Sequence, residues 1–389
     1  MLLSILKENM RYLVVALCFL TALNFSIFFT PINTSASSFK YPFQFKLQPV
    51  LKKYQKIFQK GGWPQLYPGK TLRKGSPDLK RIAILRKRLL LSGDLKLESK
   101  LSNKFDGNLL KAVKRFQLSH GLVVDGLVGR GTQEALNVSV ERRIKQIRSN
   151  LNRKLWKNGT SDPRHILVNI ADLKLSVIEK SHIIKEMRVV VGKNYRQTPL
   201  FSKKIRSVVL NPYWYIPETL ILEDFLPKIR KDLNFLKKNH IELYSTWQGK
   251  FYNIVPEVIE WDKLDSHNLN FQFRQTPGPH NSMGLVKFIF PNDYSVYLHS
   301  TPDASVFKTQ SRANSSGCIR IENPIWLANY LTKDLKNWSR KKILHVINKG
   351  TPTKIELKSQ VPIHIKYFSV WIDHNGLIHF RKDIYNRDS

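Results

Sequence analysis

The chain has 389 residues, with 64 lysines and arginines against 29 aspartates and glutamates, so its formal charge is +35. That length accommodates two or more domains and a sizeable core. The charge invites a nucleic-acid partner, but the basic residues are spread from Lys40 to Arg387 with no RNA-binding aromatic motif, zinc-ligand spacing or helix-turn-helix pattern; another acidic polymer, an anionic lipid surface or a general basic bias of composition accounts for it equally well.

An apolar run over residues 12–29 follows Lys7 and Arg11 and precedes the small residues Thr34-Ser35-Ala36. Residues 1–36 therefore read as either a secretory signal peptide or an uncleaved membrane anchor, and both readings export the rest of the chain. Of the two cysteines, Cys18 falls inside this run. Cys318 is then the single thiol of the exported part, and an unpaired cysteine in an oxidising compartment points to a reactive one.

Residues 37–71 are basic and aromatic, with turns at Trp63-Pro64 and Tyr67-Pro68-Gly69. Together with 137–160, where Ile144, Ile147, Leu151 and Leu155 recur at helical spacing, they form a scaffold region. Residues 72–136 make a compact three-helix unit. Ser76-Pro77-Asp78 opens its first helix over a stripe of Ile82, Leu85 and Leu89, and the second carries Leu109, Val113 and Phe116 up to a stop at His120-Gly121. Turns at Asp125-Gly126 and Gly129 lead to a short third helix capped by Thr132. Gly129-Arg130-Gly131 is not a phosphate loop, because no strand precedes it.

From residue 161 the pattern becomes β. Residues 165–170, 173–178, 183–191 and 207–210 are rich in Val, Ile and Leu, with turn residues between them. Residues 211–282 interrupt the strands as an inserted subdomain placed to act as a lid, its aromatic cluster serving either the lid's own core or the site. A hairpin over 287–290 and 294–298 puts His299 at a strand end, and a helix over 326–335 and a strand over 344–348 follow. Residues 355–389 read as a closing hairpin on the catalytic region, which itself covers 161–354. His345, His364, His374 and His379 lack the H-E-x-x-H spacing of a zinc peptidase, and no metal is expected.

The segment 297–323 carries the chemistry. A thiol needs a base near neutral pH, and an imidazole oriented by a third group supplies one. Gly317 lets the backbone approach a substrate, the amides of Gly317 and Cys318 are placed to face an oxyanion, and Asn323-Pro324 opens a helix. By spacing alone, Cys318 and His299 fit an inert cysteine and a structural histidine as well.

Ser315-Ser316-Gly317-Cys318-Ile319-Arg320 with Asn323, His299-Ser300-Thr301, and Val191-Gly192 followed by Thr198-Pro199-Leu200-Phe201 resemble, in order, the three signature elements of the L,D-transpeptidases. Residues 72–136 resemble a small peptidoglycan-binding domain through Phe105-Asp106, Phe116-Gln117, His120-Gly121-Leu122 and Asp125-Gly126. The resemblance implies an α+β multidomain protein: a three-helix peptidoglycan-binding domain, then a mainly-β catalytic domain with the lid of a YcbB-like branch. It implies Cys318 as nucleophile, His299 as base, the Ser300 carbonyl as its orienting group, Gly317 as an oxyanion amide and Arg320 as support. Arg320 also fits a surface ion pair, and Ser300 departs from the glycine common at this position. Substrate contacts fall to Ser315, Ser316, Tyr297 and Asn323, the last also a helix cap. The implied partners are peptidoglycan stem peptides and glycan, with no nucleic acid, membrane association of the N-terminus and cell-wall synthases as further candidates. The implied location is the periplasm or cell envelope, and no cofactor is implied. Carboxypeptidase activity or a wall-binding scaffold with a vestigial site are the alternatives.

Overall fold

Nine strands between residues 164 and 366 curl into a barrel in a computed structural model that describes residues 47–96, 103–153 and 162–388. The leader reading of residues 1–36 lies outside the described residues, among which no helix is long and apolar enough to cross a membrane.

Five helices come first. α1 (Leu47–Gln59) is followed by α2 (Leu79–Ser92), α3 (Gly107–Ser119), α4 (Arg130–Leu136) and α5 (Val140–Asn152). α2 to α4 form the expected unit around Ile82, Leu85, Leu89, Leu109, Val113 and Phe116. Asp78 and Asp106 cap α2 and α3 by accepting from the amides of Arg81 and Leu109. The cap of α4 is not Thr132, which lies inside the helix; Gly129 holds that position with no side-chain bond. α1 and α5 pack on each other through Leu47, Val50, Tyr54, Ile144 and Ile147.

The barrel strands are β1 (Arg164–Asn169), β2 (Lys174–Glu179), β3 (His182–Gly192) and β4 (Phe201–Leu210), then, beyond the insertion, β9 (Val286–Ile289), β10 (Leu298–His299), β11 (Ala313–Ser315), β12 (Ile319–Ile321) and β13 (Thr353–Lys366). Eight of them run in the order β3-β12-β10-β9-β4-β13-β1-β2, and β2 pairs back onto β3 to close the ring, while β11 lies beside the end of β3. Alternation along each strand sends Val168, Leu175, Val189, Val208, Phe288, Leu298 and Ile319 into the barrel core.

Two expectations change after the site segment. Residues 344–348 are helical, not extended: α9 (Arg340–Lys349) follows α8 (Pro324–Leu331). Ser339 caps α9 by accepting from Lys342 N, Ile343, Val346 and Ile347 are buried at helical spacing, and Gly350 ends it in the left-handed conformation. Residues 355–366 belong to the long strand β13, paired with β1 and β4, so the barrel continues past residue 354. The closing hairpin is only β14 (Val370–Ile372) and β15 (Ile378–Phe380). It packs Val370 and Phe380 against α1 and α5, and Trp371 against Leu167 and Ile178 of the barrel.

The insertion between β4 and β9 folds around its own core of Ile221, Ile229, Leu236, Leu243, Phe271 and Phe273. Its sheet contains β5 (Trp214–Tyr215), β6 (Ile241–Trp247), β7 (Lys250–Ile254) and β8 (Gln272–Gln275), in the order β5-β8-β6-β7. The aromatics serve both roles: Phe235 and Trp261 pack on that core, Trp214 and Phe225 pack on it and also line the cavity below, and Tyr215 and Tyr244 reach that cavity. At the neck, fully buried Asn281 donates to the carbonyls of Pro212, Gln275 and Thr276 and so joins the entering and leaving strands.

Candidate active site

Three neighbouring strands put their side chains on one wall. Register pairs Lys287 of β9 with His299 of β10, and His299 with Arg320 of β12. Their neighbours in sequence, Val286, Phe288, Leu298, Ile319 and Ile321, point into the core, so period-two alternation turns Lys287, His299 and Arg320 outward together. They face a cavity of about 940 Å³ between barrel and insertion, which Cys318, Tyr297 and Ser316 also line.

Cys318 sits in the turn between β11 and β12. Ser315 brackets that turn: its hydroxyl donates to the Cys318 carbonyl at 2.6 Å and accepts from the Gly317 amide at 3.2 Å. Ser315 is almost completely buried and its hydroxyl shapes the turn, while the residue also borders the cavity. The Gly317 amide is likewise engaged, whereas the Cys318 amide, like that of Ser316, has no hydrogen-bond partner among the described residues. Gly317 has φ +115°, and an added Cβ would meet nothing within 4 Å. Glycine is needed there for backbone conformation, not for a close approach.

The V-G…T-P element clamps the same turn from behind. Buried Thr198 accepts from the Gly192 amide (2.9 Å) and donates to the Gly317 carbonyl (2.7 Å). Tyr385, near the end of the chain, donates to the Gly192 carbonyl (2.7 Å) and accepts from the Thr198 amide (3.2 Å). A Cβ on Gly192 would lie 2.1 Å from the Arg196 carbonyl, so only glycine fits.

Burial is the largest influence on both titrating groups. It pushes the Cys318 thiol up, against the lowering effects of the Tyr297 backbone, Lys287 and Arg320. It pushes His299 down to about 3, helped by Arg320. Both are therefore neutral at rest, and the imidazole is free to receive a proton. In this structure the thiol donates to the Ser295 carbonyl (3.8 Å) and forms no hydrogen bond with His299. The carbonyls of Ser300 and Met283 face His299 and raise its pKa, but Nδ1 has no partner of normal hydrogen-bond geometry. The serine that replaces glycine at position 300 is used structurally: its hydroxyl accepts from Val286 N (3.0 Å) and donates to the Met283 carbonyl (3.2 Å), pinning the segment beside the histidine.

Arg320 forms no ion pair among the described residues, against the surface-pair reading, and its buried Nε has no hydrogen-bond partner. Asn323 occupies the cap position of α8 by backbone alone; its side chain accepts nothing from the helix, and it does not line the cavity. Two residues escaped the sequence reading. Lys287 was detectable only as a cation at an outward position of its strand. Arg196 ion-pairs with Glu223 and Asp224 of the insertion and donates to Ser316 Oγ at 3.3 Å; nothing local in the sequence marks that bridge.

Residues 163–355 match the family model described as "L,D-transpeptidase catalytic domain" (YkuD), and residues 80–136 match a "Putative peptidoglycan binding domain". A protein of Haemophilus influenzae described as "Putative L,D-transpeptidase" is 34% identical over 223 residues, 57% of this chain and 44% of that protein, so the match spans less than half of the relative's length. Among solved structures, an L,D-transpeptidase from Mycobacterium smegmatis is 12% identical with a TM-score of 0.24, over 52% of this chain and 58% of that one. One from Stackebrandtia nassauensis is 12% identical with a TM-score of 0.26, over 78% and 96%. The chain carries an L,D-transpeptidase catalytic domain of the YkuD type and, ahead of it, a peptidoglycan-binding domain.

Proposed function

We propose that this protein is an exported L,D-transpeptidase of the cell envelope that forms 3→3 cross-links in peptidoglycan. The supporting observation is the placement of Cys318 and His299 on one wall of a cavity roofed by the insertion, within the matched catalytic domain. Cys318 attacks the carbonyl at the L-centre of diaminopimelate in a tetrapeptide stem as its proton passes to His299. The resulting oxyanion meets the Cys318 amide. The terminal D-Ala leaves with that proton on its amine. The side-chain amine of a second stem then attacks the thioester, gives its proton to His299, and the thiol is restored. Stem peptides and glycan are the partners, and the three-helix domain holds the wall near the site.

Transfer is favoured over hydrolysis by the roof. A thioester awaiting an amine must survive a solvent of about 55 M water, so the site has to exclude it. Incubating the exported portion with tetrapeptide-rich sacculi and weighing the products should give 3→3 dimers, with tripeptide as a minor leak and pentapeptide donors unused. Tripeptide monomers alone, across a range of acceptor concentrations, would make the protein a carboxypeptidase.

Arg196 fastens the roof. Its pairs with Glu223 and Asp224 are partly exposed, and its contact with Ser316 reaches the residue two before the thiol. Arg196→Ala should loosen this closure and let water reach the thioester. The ratio of tripeptide to dimer is expected to rise several-fold with little change in the rate at which a small neutral electrophile alkylates Cys318. An unchanged ratio would show that the pair is ornamental to closure.

A further inference from the structure

Lys287 and Arg320 are two cations with no ion-pair partner among the described residues, one strand to either side of His299. Adjacent strands are about 4.8 Å apart, so the pair brackets the base, and the charge of each is felt by Cys318. Other arginines around the site are matched: Arg188 by Glu322, Arg196 by Glu223 and Asp224, and Arg312 by backbone carbonyls. Lys287 has no ion pair or hydrogen bond among the described residues, and its ammonium lies 3.7 Å from the centre of the Tyr297 ring. Asp303 is the carboxylate whose field reaches Arg320, but its side chain accepts from Ser305 N at 2.8 Å and it is not within ion-pair distance of Arg320. Burial lowers the pKa of both cations, so holding them here without an anion is unfavourable.

We infer that Lys287, with Arg320, forms a carboxylate subsite that takes the free C-terminal carboxylate of the donor peptide. This deepens the proposed function and rests on it for the identity of the donor. With the scissile carbonyl at Cys318, the carboxylate of a single terminal residue lies about one residue length, ~4 Å, beyond the reacting atom. That is where a cation next to the base can meet it. A donor longer by one residue puts a neutral amide at this place, leaving both charges unpaired and its own carboxylate elsewhere. Tyr297 supplies one face of the subsite and restricts where the ammonium can sit. Lys287 is thus a specificity-determining residue, and selection of tetrapeptide over pentapeptide is an electrostatic choice made at β9.

The test compares a tetrapeptide with a free C-terminus against the same peptide as its C-terminal amide. Binding is measured by calorimetry to Cys318→Ala, with and without Lys287→Met, which needs no turnover. Charge-assisted hydrogen bonds contribute about 1.5–3 kcal/mol, so the free acid should bind roughly 10- to 150-fold tighter than the amide. Lys287→Met should remove most of that preference while leaving amide binding unchanged, and Lys287→Arg should restore part of it. Equal weakening toward both peptides, or no preference in the parent protein, overturns the subsite. In the active enzyme, Lys287→Met should keep the parent melting temperature and alkylate with iodoacetamide only modestly more slowly, because the lost charge lowers the thiol pKa less than burial raises it. A large drop in alkylation with acid and amide donors losing equally would make Lys287 a thiolate stabiliser instead and also overturn it. Intact acid-over-amide binding with no acyl-enzyme in the Cys318 protein would retain the subsite and refute the transpeptidase reading.

Discussion

Cys318→Ala is expected to abolish covalent acylation and turnover while leaving the fold in place. The side chain removed is small, half-buried and bonded only weakly, to the Ser295 carbonyl at 3.8 Å. The turn that carries it is held by other groups: the hydroxyls of Ser315 and Thr198 and the backbone of Gly317. Loss of the sulfur should therefore shift the melting temperature by no more than a few degrees, consistent with a substitution costing under about 1 kcal/mol. Mass spectrometry of the intact protein after incubation with a tetrapeptide donor reads the result directly. An adduct in the variant at the parent rate would refute Cys318 as the nucleophile.

The second large effect belongs to His299. General-base catalysis typically contributes about 10²–10⁴-fold, and His299→Ala should lower the acylation rate by a factor in that range. The pH profile discriminates further. Because burial holds His299 down at about 3, it remains an unprotonated base throughout pH 5–8. The parent rate should therefore not fall as pH is lowered from 8 to 5, which an imidazole of ordinary pKa would require. The thiol is pushed up by burial, so ionisation adds a rising arm only on the alkaline side. In His299→Ala the neutral-pH plateau should vanish and the alkaline arm survive. A parent profile that drops with a midpoint near 6.5 would show that the imidazole is titrating in the active enzyme and would contradict the buried neutral base.

The sequence made the strands and the reactive pair legible because both depend on local pattern. Runs of Val, Ile and Leu between turn residues marked β1 to β4, and the glycine, cysteine and arginine of 317–320 are close neighbours. The 344–348 segment failed for the same reason: five apolar-rich residues do not distinguish periods of 2 and 3.6, and the deciding residues, Ser339 and Gly350, lie outside the window. Lys287 and Arg196 were beyond reach for a different cause. What each does is set by sheet register and by ion pairs to the distant Glu223 and Asp224, and neither leaves a trace in neighbouring positions. Likewise the end of the barrel at residue 366 depends on β13 finding two partners far upstream.

Arg381 ties three parts of the chain at one point. It ion-pairs with Asp172 beside β1 and donates to the Ser119 carbonyl at the end of α3, while Phe380 stacks with His120, their ring centres 5.5 Å apart. The wall-binding helices are thus bolted to the catalytic barrel instead of hanging from a flexible leash. A leash samples a sphere of targets, whereas a bolt behaves as a ruler. Under the proposed function, Cys318 would strike at one set distance and angle from whatever strand the helices grip. Cross-links laid down this way would carry a preferred spacing along the strand being held, a regularity written into the wall by the joint and not by the reaction.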